Sequence, residues 1–403
     1  MNIIFLTLSP FNNLNDRGIY PDLLRKIVRK GHNVYIVTPN ERKFKKPTQL
    51  FIDKNSQILC VKTLNLQKTN LFEKGIGIFL VEHQFKAAIK KYWSGIKFDL
   101  IIYTTPPITI THVIKFIKRR DNAKTYLLLK DIFPQNAVDL GMIRKGGLLY
   151  RFFKKTEAKL YAISDQIGCM SPANVDYICM NNPNIDRKKV HVNPNSIEVK
   201  IKNKINNFEK KCIRNKYNIP ESVTTFIYGG NLGKPQGVNF LIDVLKYYFN
   251  NENVFFIIVG SGTEYKKINK WYCLNKPQNT LLLPYLPKEE FDILLSISDV
   301  GLIFLDSRFT IPNFPSRLLS YLEFSLPILA ATDRYSDIGL IAQQNGFGFW
   351  CESGDLDSFC NYVNIFTKNI DLRLSMGKKG NLYLEKNYTV DISYSIIFNE
   401  YDI

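Results

Sequence analysis

An apolar run of strand length, a polar loop, a glycine, an amphipathic helix and a second apolar run open this chain, and that order permits few folds. Asn2–Leu8 reads as a buried strand and Ser9–Arg17 as a loop ending at Gly18. Asp22–Arg29 reads as a helix closed by Gly31, and Asn33–Thr38 as the next strand. Two strands joined through a crossover helix must run parallel, and parallel sheets bury both faces under helices, so the fold class is α/β. Further strands are predicted at Gln57–Val61, Leu100–Tyr103, Lys124–Leu129, Gln166–Met170 and Lys188–Val192. Asn and Lys then crowd together over Asn193–Lys211, which reads as a linker. A second alternation follows, with strands at Thr225–Tyr228, Val254–Val259, Thr280–Leu283, Val300–Phe304 and Pro327–Ala331. Two such blocks predict two Rossmann-like doubly wound domains, residues 1–196 and 212–375, facing across a cleft where ligands bind. Residues 376–403 are predicted to form a helical segment that packs back on the first domain.

Composition narrows the partners. The chain has 403 residues and a formal net charge of +18, which favours phosphorylated ligands or an anionic membrane surface; a codon bias toward Lys, Asn and Ile explains it as well. The basic residues are spread along the chain with no helix-turn-helix, zinc or RNP pattern, so no nucleic-acid partner is expected. Seven cysteines without a C-x-x-C and four histidines without ligand spacing predict a reduced, metal-free protein. The first residues, MNIIFLTLSPF, read as a strand rather than a signal peptide. No apolar run reaches the ~20 residues of a spanning helix, and the nearest, Gly75 to Phe85, is interrupted by Glu82. The protein is therefore expected in the cytoplasm, peripheral at the inner face of the cytoplasmic membrane.

Two glycine turns at strand ends carry the chemistry. The first is Tyr228-Gly229-Gly230-Asn231-Leu232-Gly233-Lys234-Pro235-Gln236-Gly237, followed by a helix near Val238. Glycines let a backbone approach a phosphate, and free amides with Lys234 supply positive character. It is not a Walker A loop, because Tyr228 and Pro235 replace the required Gly and Ser/Thr; a plain βα turn is the bland alternative. The second is Val259-Gly260-Ser261-Gly262-Thr263-Glu264.

In order and spacing these turns, with Ser298-Asp299-Val300 and Ser325-Leu326-Pro327-Ile328-Leu329-Ala330, resemble the family-four retaining glycosyltransferases of the GT-B fold. Leu129-Lys130-Asp131-Ile132-Phe133-Pro134-Gln135 with Leu140-Gly141 resembles the WbuB-like branch of bacterial O-antigen and capsule transferases. The resemblance covers nearly the whole chain. It implies transfer of a sugar, often an N-acetylated deoxyhexosamine in this branch, from a UDP-linked donor to a polyprenyl-diphosphate-linked saccharide. It implies no cofactor and no metal. The donor would be held by Gly18, Gly230, Asn231, Lys234, Gly260, Ser316 and Arg317, with Arg17 and Gly18 supplied by the first domain. One departure stands out. The family's ribose-binding glutamate falls on Ser320, and Glu323, one turn along, is a substitute or else a surface salt-bridge partner.

Asp131, at the end of a first-domain strand, either orients and deprotonates the acceptor or caps the following turn. Lys130 either contacts the acceptor phosphate, with Arg17, or is solvated. Leu66–Lys97 mixes Phe72, Ile76, Phe79 and Phe85 with Lys74, Lys86 and Lys90; Arg144–Lys159 mixes Leu148, Leu149 and Phe152 with Arg151 and Lys155. Such mixtures suit an interfacial helix on anionic lipid, or a helix packing its apolar face on the sheet. A UDP-sugar epimerase and a non-catalytic GT-B partner are the competing functions.

Overall fold

In a computed structural model the chain is described except for residues 12, 67, 68, 70, 201–204 and 400–403 and the side chains of 71, 72 and 74. It divides into two compact units, Met1–Glu198 with Val390–Ile403, and Val199–Thr389.

The first unit is built on β1 (Asn2–Leu6), β2 (Asn33–Glu41), β3 (Gln49–Asp53), β4 (Ser56–Thr63), β5 (Leu100–Thr104), β6 (Lys124–Leu129), β7 (Gln166–Cys169) and β8 (Val190–Val192). Their order in the sheet is β3-β4-β2-β1-β5-β6-β7-β8. All neighbours run parallel except β3 and β4, a hairpin at one edge. Its helices are α1 (Ile19–Arg29), α2 (Leu71–Tyr92), α3 (Thr111–Asp121), α4 (Gln135–Asp139), α5 (Leu148–Ile163) and α6 (Pro172–Asn181). Ile3, Phe5, Ile36, Ile102, Tyr126 and Leu128 are fully or almost fully buried, as the apolar strand runs require. Strand order reverses between β1 and β5, so the loops after those strands diverge and leave a ligand crevice at their carboxyl ends.

The second unit contains α7 (Asn207–Lys216), β9 (Thr224–Asn231), α8 (Val238–Tyr247), β10 (Val254–Ser261), α9 (Tyr265–Asn275), β11 (Thr280–Leu283) and α10 (Lys288–Ser296). It continues through β12 (Val300–Phe304), α11 (Arg317–Glu323), β13 (Ile328–Thr332), α12 (Ile338–Gln344), β14 (Gly348–Glu352), α13 (Leu356–Lys368) and α14 (Ile370–Asn387). The parallel order is β11-β10-β9-β12-β13-β14, reversing between β9 and β12. α15 (Val390–Asn399) returns to the first unit. There Val390, Ile397 and Phe398 join the core of Phe5, Leu24 and Ile27, and Lys26 pairs with Asp391.

Several boundaries differ from the sequence reading. The second unit extends beyond 375 because Met376 is buried in its core, and the chain belongs to the first unit again from Val390 onward. The linker is shorter than Asn193–Lys211: Asn206 and Glu209 form a reciprocal capping box that starts α7 inside it. The strand expected at Lys188–Val192 is a single 3-10 turn, Arg187–Lys189, followed by β8. Edge strand β3 and the last strand β14 were not predicted. Glu82, which breaks the apolar run, is buried in α2 and accepts the backbone amides of His112 and Val113, capping α3. Among the described residues, no helix is long and apolar enough to cross a membrane.

Candidate active site

Donor-site candidates converge at the carboxyl end of β9. Gly230 has φ of +124°, a region that L side chains rarely enter, and its open side faces the Arg317 guanidinium, 3.5 Å from where a Cβ would sit. Arg317 lies over the Tyr228 ring, 4.2 Å from its centroid, a cation–π arrangement. The Tyr228 hydroxyl donates to the Asn231 carbonyl at 2.7 Å, so one aromatic side chain fixes both the turn and the cation. Arg317 Nη1 is buried without a hydrogen-bond partner. An orphaned, desolvated donor on a cation is costly, and an anion at this spot would satisfy it.

Asn231 Nδ2 and the Gly233 amide both donate to Gln236 Oε1, at 3.0 and 3.2 Å. Asn231 and Gln236 therefore brace the turn on itself. Lys234 and Ser316 are exposed at this end of the unit. Gly260 supports the turn from behind: a Cβ there would stand 1.9 Å from the Gly230 carbonyl oxygen. Gly260→Ala is accordingly expected to cost about 1–3 kcal/mol through overpacking and to blunt donor binding by shifting Gly230. Thermal melting with and without donor checks both effects.

Ser320 and Arg317 share a face of α11, three residues apart. The Tyr321 hydroxyl accepts the Gly229 amide at 3.2 Å and donates to the Leu302 carbonyl at 3.1 Å, tying α11 to the strands on either side of the reversal point. Glu323 is buried, and Oε1 accepts the Lys200 amide at 3.4 Å. Its carboxylate is thus engaged with the segment entering the unit.

In the first unit the candidates gather at the carboxyl ends of β1, β5 and β6. The Gly18 amide donates to Asp22 Oδ1 at 3.1 Å. Asp22 also pairs with Arg25 and accepts the Glu198 amide, so the loop carrying half-buried Arg17 is anchored to α1. Thr105 Oγ1 accepts the amides of Lys130 and Asp131, at 2.9 and 3.1 Å, fixing that pair at the sheet edge. Burial pushes the Lys130 ammonium down to about 7, and its Nζ donates to the Asn193 carbonyl at 3.3 Å. Burial likewise pushes the Asp131 carboxyl up to about 6, against hydrogen bonds that favour its charged form. Asn136 Nδ2 donates to both Asp131 oxygens, at 2.8 and 2.9 Å. Lys130 also lines a small cavity with Tyr20, Asn195, Ser196 and Ser393, polar groups that the sequence reading did not single out. An acid and an amine shifted toward neutral pH at a ligand crevice have the attributes of acid–base machinery. The described residues contain no cluster of three or more potential metal ligands.

Residues 209–382 match the family model described as Glycosyl transferases group 1. The probable glycosyltransferase WbjE of Pseudomonas aeruginosa is 22% identical over 336 residues, 83% of this chain and 81% of that protein. A relative in Escherichia coli (strain K12), WcaI, named for colanic acid biosynthesis, is 22% identical over 274 residues, 66% of this chain and 65% of its own. The crystal structure of Anabaena Alr3699/HepE in complex with UDP-glucose superposes with a TM-score of 0.71 at 13% identity, covering 99% of both chains. The fold is that of the GT-B proteins, two Rossmann-like domains, and residues 209–382 of the second unit are similar to the group 1 glycosyltransferases.

Proposed function

We propose that the chain moves a sugar from a UDP-linked donor to a polyprenyl-diphosphate-linked saccharide, with retention of configuration, in O-antigen or capsule biosynthesis at the cytoplasmic face of a membrane. The observation that carries this reading is the Arg317 guanidinium, held by Tyr228 over the Gly230 turn with a buried donor unmet. In the reaction the bond from the sugar's anomeric carbon to the diphosphate breaks and a bond to the acceptor oxygen forms. The electron pair leaves with the nucleoside diphosphate, whose charge Arg317, Lys234 and the turn amides offset. The acceptor's proton passes to Asp131, and Lys130 and Arg17 hold the acceptor's phosphate. Support for UDP comes from the UDP-glucose complex of a structural neighbour, and support for polysaccharide assembly from the colanic acid relative. The WbuB-like branch, with its N-acetylated deoxyhexosamine donors, rests on the Asp131–Gly141 motif.

The test is thermal melting with UDP-, GDP-, ADP- and dTDP-sugars. A ligand at about 100 times its Kd adds about 2.7 kcal/mol of stability, so UDP-sugars are expected to raise Tm and the others to leave it unchanged. No rise with any of them at millimolar concentration would overturn the donor site. A rise without transfer to any lipid-linked acceptor would favour a non-catalytic partner, a reading that Ser320 at the glutamate position keeps open.

A further inference from the structure

The first unit carries an apolar tip that its core does not use. Among its described side chains, α2 shows solvent a single stripe: Ile76, Phe79, Leu80, His83, Ala87, Lys90 and Lys91. The spacing follows one helix face, and its character changes along the axis from apolar at the N-terminal half to cationic at the C-terminal half. α5 repeats the gradient, exposing Leu148, Leu149 and Phe152 before Lys155 and Lys159. The two apolar ends meet: the rings of Phe79 and Phe152 are 5.6 Å apart. Leu148 is 87% exposed and Phe79 48% exposed, so the cluster is open to water rather than packed on the sheet. Phe72 and Lys74, which the sequence reading placed in the same stretch, lie outside the described side chains.

Cations flank this tip. Lys86 and Lys90 both stand 5.1 Å from the Phe116 ring of α3. Lys90, Lys115, Arg119, Arg151 and Lys155 are exposed, and among the described residues none of them has an ion-pair partner. Along α2, Lys86 lies about 10 Å beyond Phe79 at 1.5 Å per residue, so cationic and apolar groups occupy successive turns of one helix.

The tip is also joined to the acceptor candidates. α2 follows the carboxyl end of β4, and Phe133, two residues beyond Asp131, meets the Phe153 ring of α5 at 4.9 Å. Phe153 in turn meets Phe152 at 5.3 Å. Side-chain contacts therefore run from the Asp131 loop to the exposed tip.

We propose that α2 and α5 form one bipartite docking surface for an anionic phospholipid bilayer: Phe79, Leu80, Leu148, Leu149 and Phe152 enter the acyl boundary while the flanking Lys and Arg side chains engage lipid phosphates. A second copy of this chain is disfavoured as occupant, because two such faces would oppose unpaired cations of like sign. A nucleic acid would leave the exposed Leu and Phe side chains in water. The inference rests on the proposed transfer reading only for the reason the chain visits a membrane, a lipid-linked acceptor delivered beside Asp131.

The test is co-sedimentation of the full chain with phosphatidylglycerol/phosphatidylcholine vesicles and with phosphatidylcholine alone, beside Phe79→Ser/Phe152→Ser and Leu148→Ser. Wild type is expected to bind the anionic vesicles, more weakly at 10-fold higher salt, and phosphatidylcholine poorly. The double variant keeps the net charge of +18, yet its partitioning is expected to fall by at least about 10-fold. Leu148→Ser, too exposed to disturb folding, is expected to fall severalfold. Wild type that ignores anionic vesicles, or variants that bind as wild type does, would overturn the surface. So would a loss traced by light scattering to a broken dimer. UDP-sugar melting shifts, measured on the same samples, separate this failure from failure of the transfer reading: vesicle binding without a donor shift sinks only the latter.

Discussion

Arg317→Ala is expected to abolish the UDP-sugar-induced rise in Tm and to lower the transfer rate by about 10²–10³-fold, the usual cost of one oriented donor to a developing negative charge. The unliganded protein should lose little. Arg317 Nη1 has no hydrogen-bond partner before the donor arrives, so removing the guanidinium also removes a desolvated donor that nothing offsets. Arg317→Lys separates charge from geometry. Lysine keeps the cation but not the planar fork stacked on Tyr228, and an intermediate loss is expected. Isothermal titration and steady-state transfer assays check the series. A melting shift that survives Arg317→Ala would remove the guanidinium from the donor site.

The backbone of this result was legible in the sequence, and its side-chain partners were not. Apolar runs such as Asn2–Leu6 and Val254–Val259 announce central parallel strands because both their faces are buried, which leaves no polar alternation to confuse them. β3, with sequence QLFID and mostly exposed, lacks that signature, and β14 is only partly buried. The glycine turns were visible as phosphate-scale openings, yet Gly260 proves to be a packing residue: what it approaches is the Gly230 carbonyl, a contact between strands 30 residues apart. The Asn231–Gln236 brace could have been suspected from spacing. Tyr228 beneath Arg317, 89 positions away, could not, because only the sheet brings them together. Glu82 is the sharpest case: a charge that reads as an interruption of α2 is the cap of α3.

The Lys130–Asp131 pair sets the pH at which the proposed reaction can run. Asp131 must be ionised to take the acceptor's proton, and burial has moved that event up to about pH 6. Lys130 must be charged to hold a phosphate, and burial has moved its loss of charge down to about pH 7. kcat/KM for the acceptor is therefore expected to be bell-shaped, rising through pH 6 as Asp131 ionises and falling through pH 7 as Lys130 loses its charge. Asp131→Asn is expected to reduce kcat by about 10²–10⁴-fold, the worth of general base catalysis, and to erase the lower limb. Its effect on stability has the opposite sign. A carboxyl whose folded pKa is raised binds its proton more tightly folded than unfolded, so its contribution is greatest below pH 4 and falls away as pH rises to 6. Above pH 6 the ionised group is a net cost of on the order of 1–2 kcal/mol after allowance for partial solvation. The neutral amide that replaces the carboxylate avoids that cost and can pair with Asn136, whose Oδ1 is buried without a partner. Asp131→Asn should thus melt a few degrees higher than wild type at pH 8 and close to it at pH 4, while transferring almost nothing. A variant that melts lower at pH 8 would make Asp131 a structural cap of the turn, the other role its position allows, and would move the search for the base to the polar groups around Lys130.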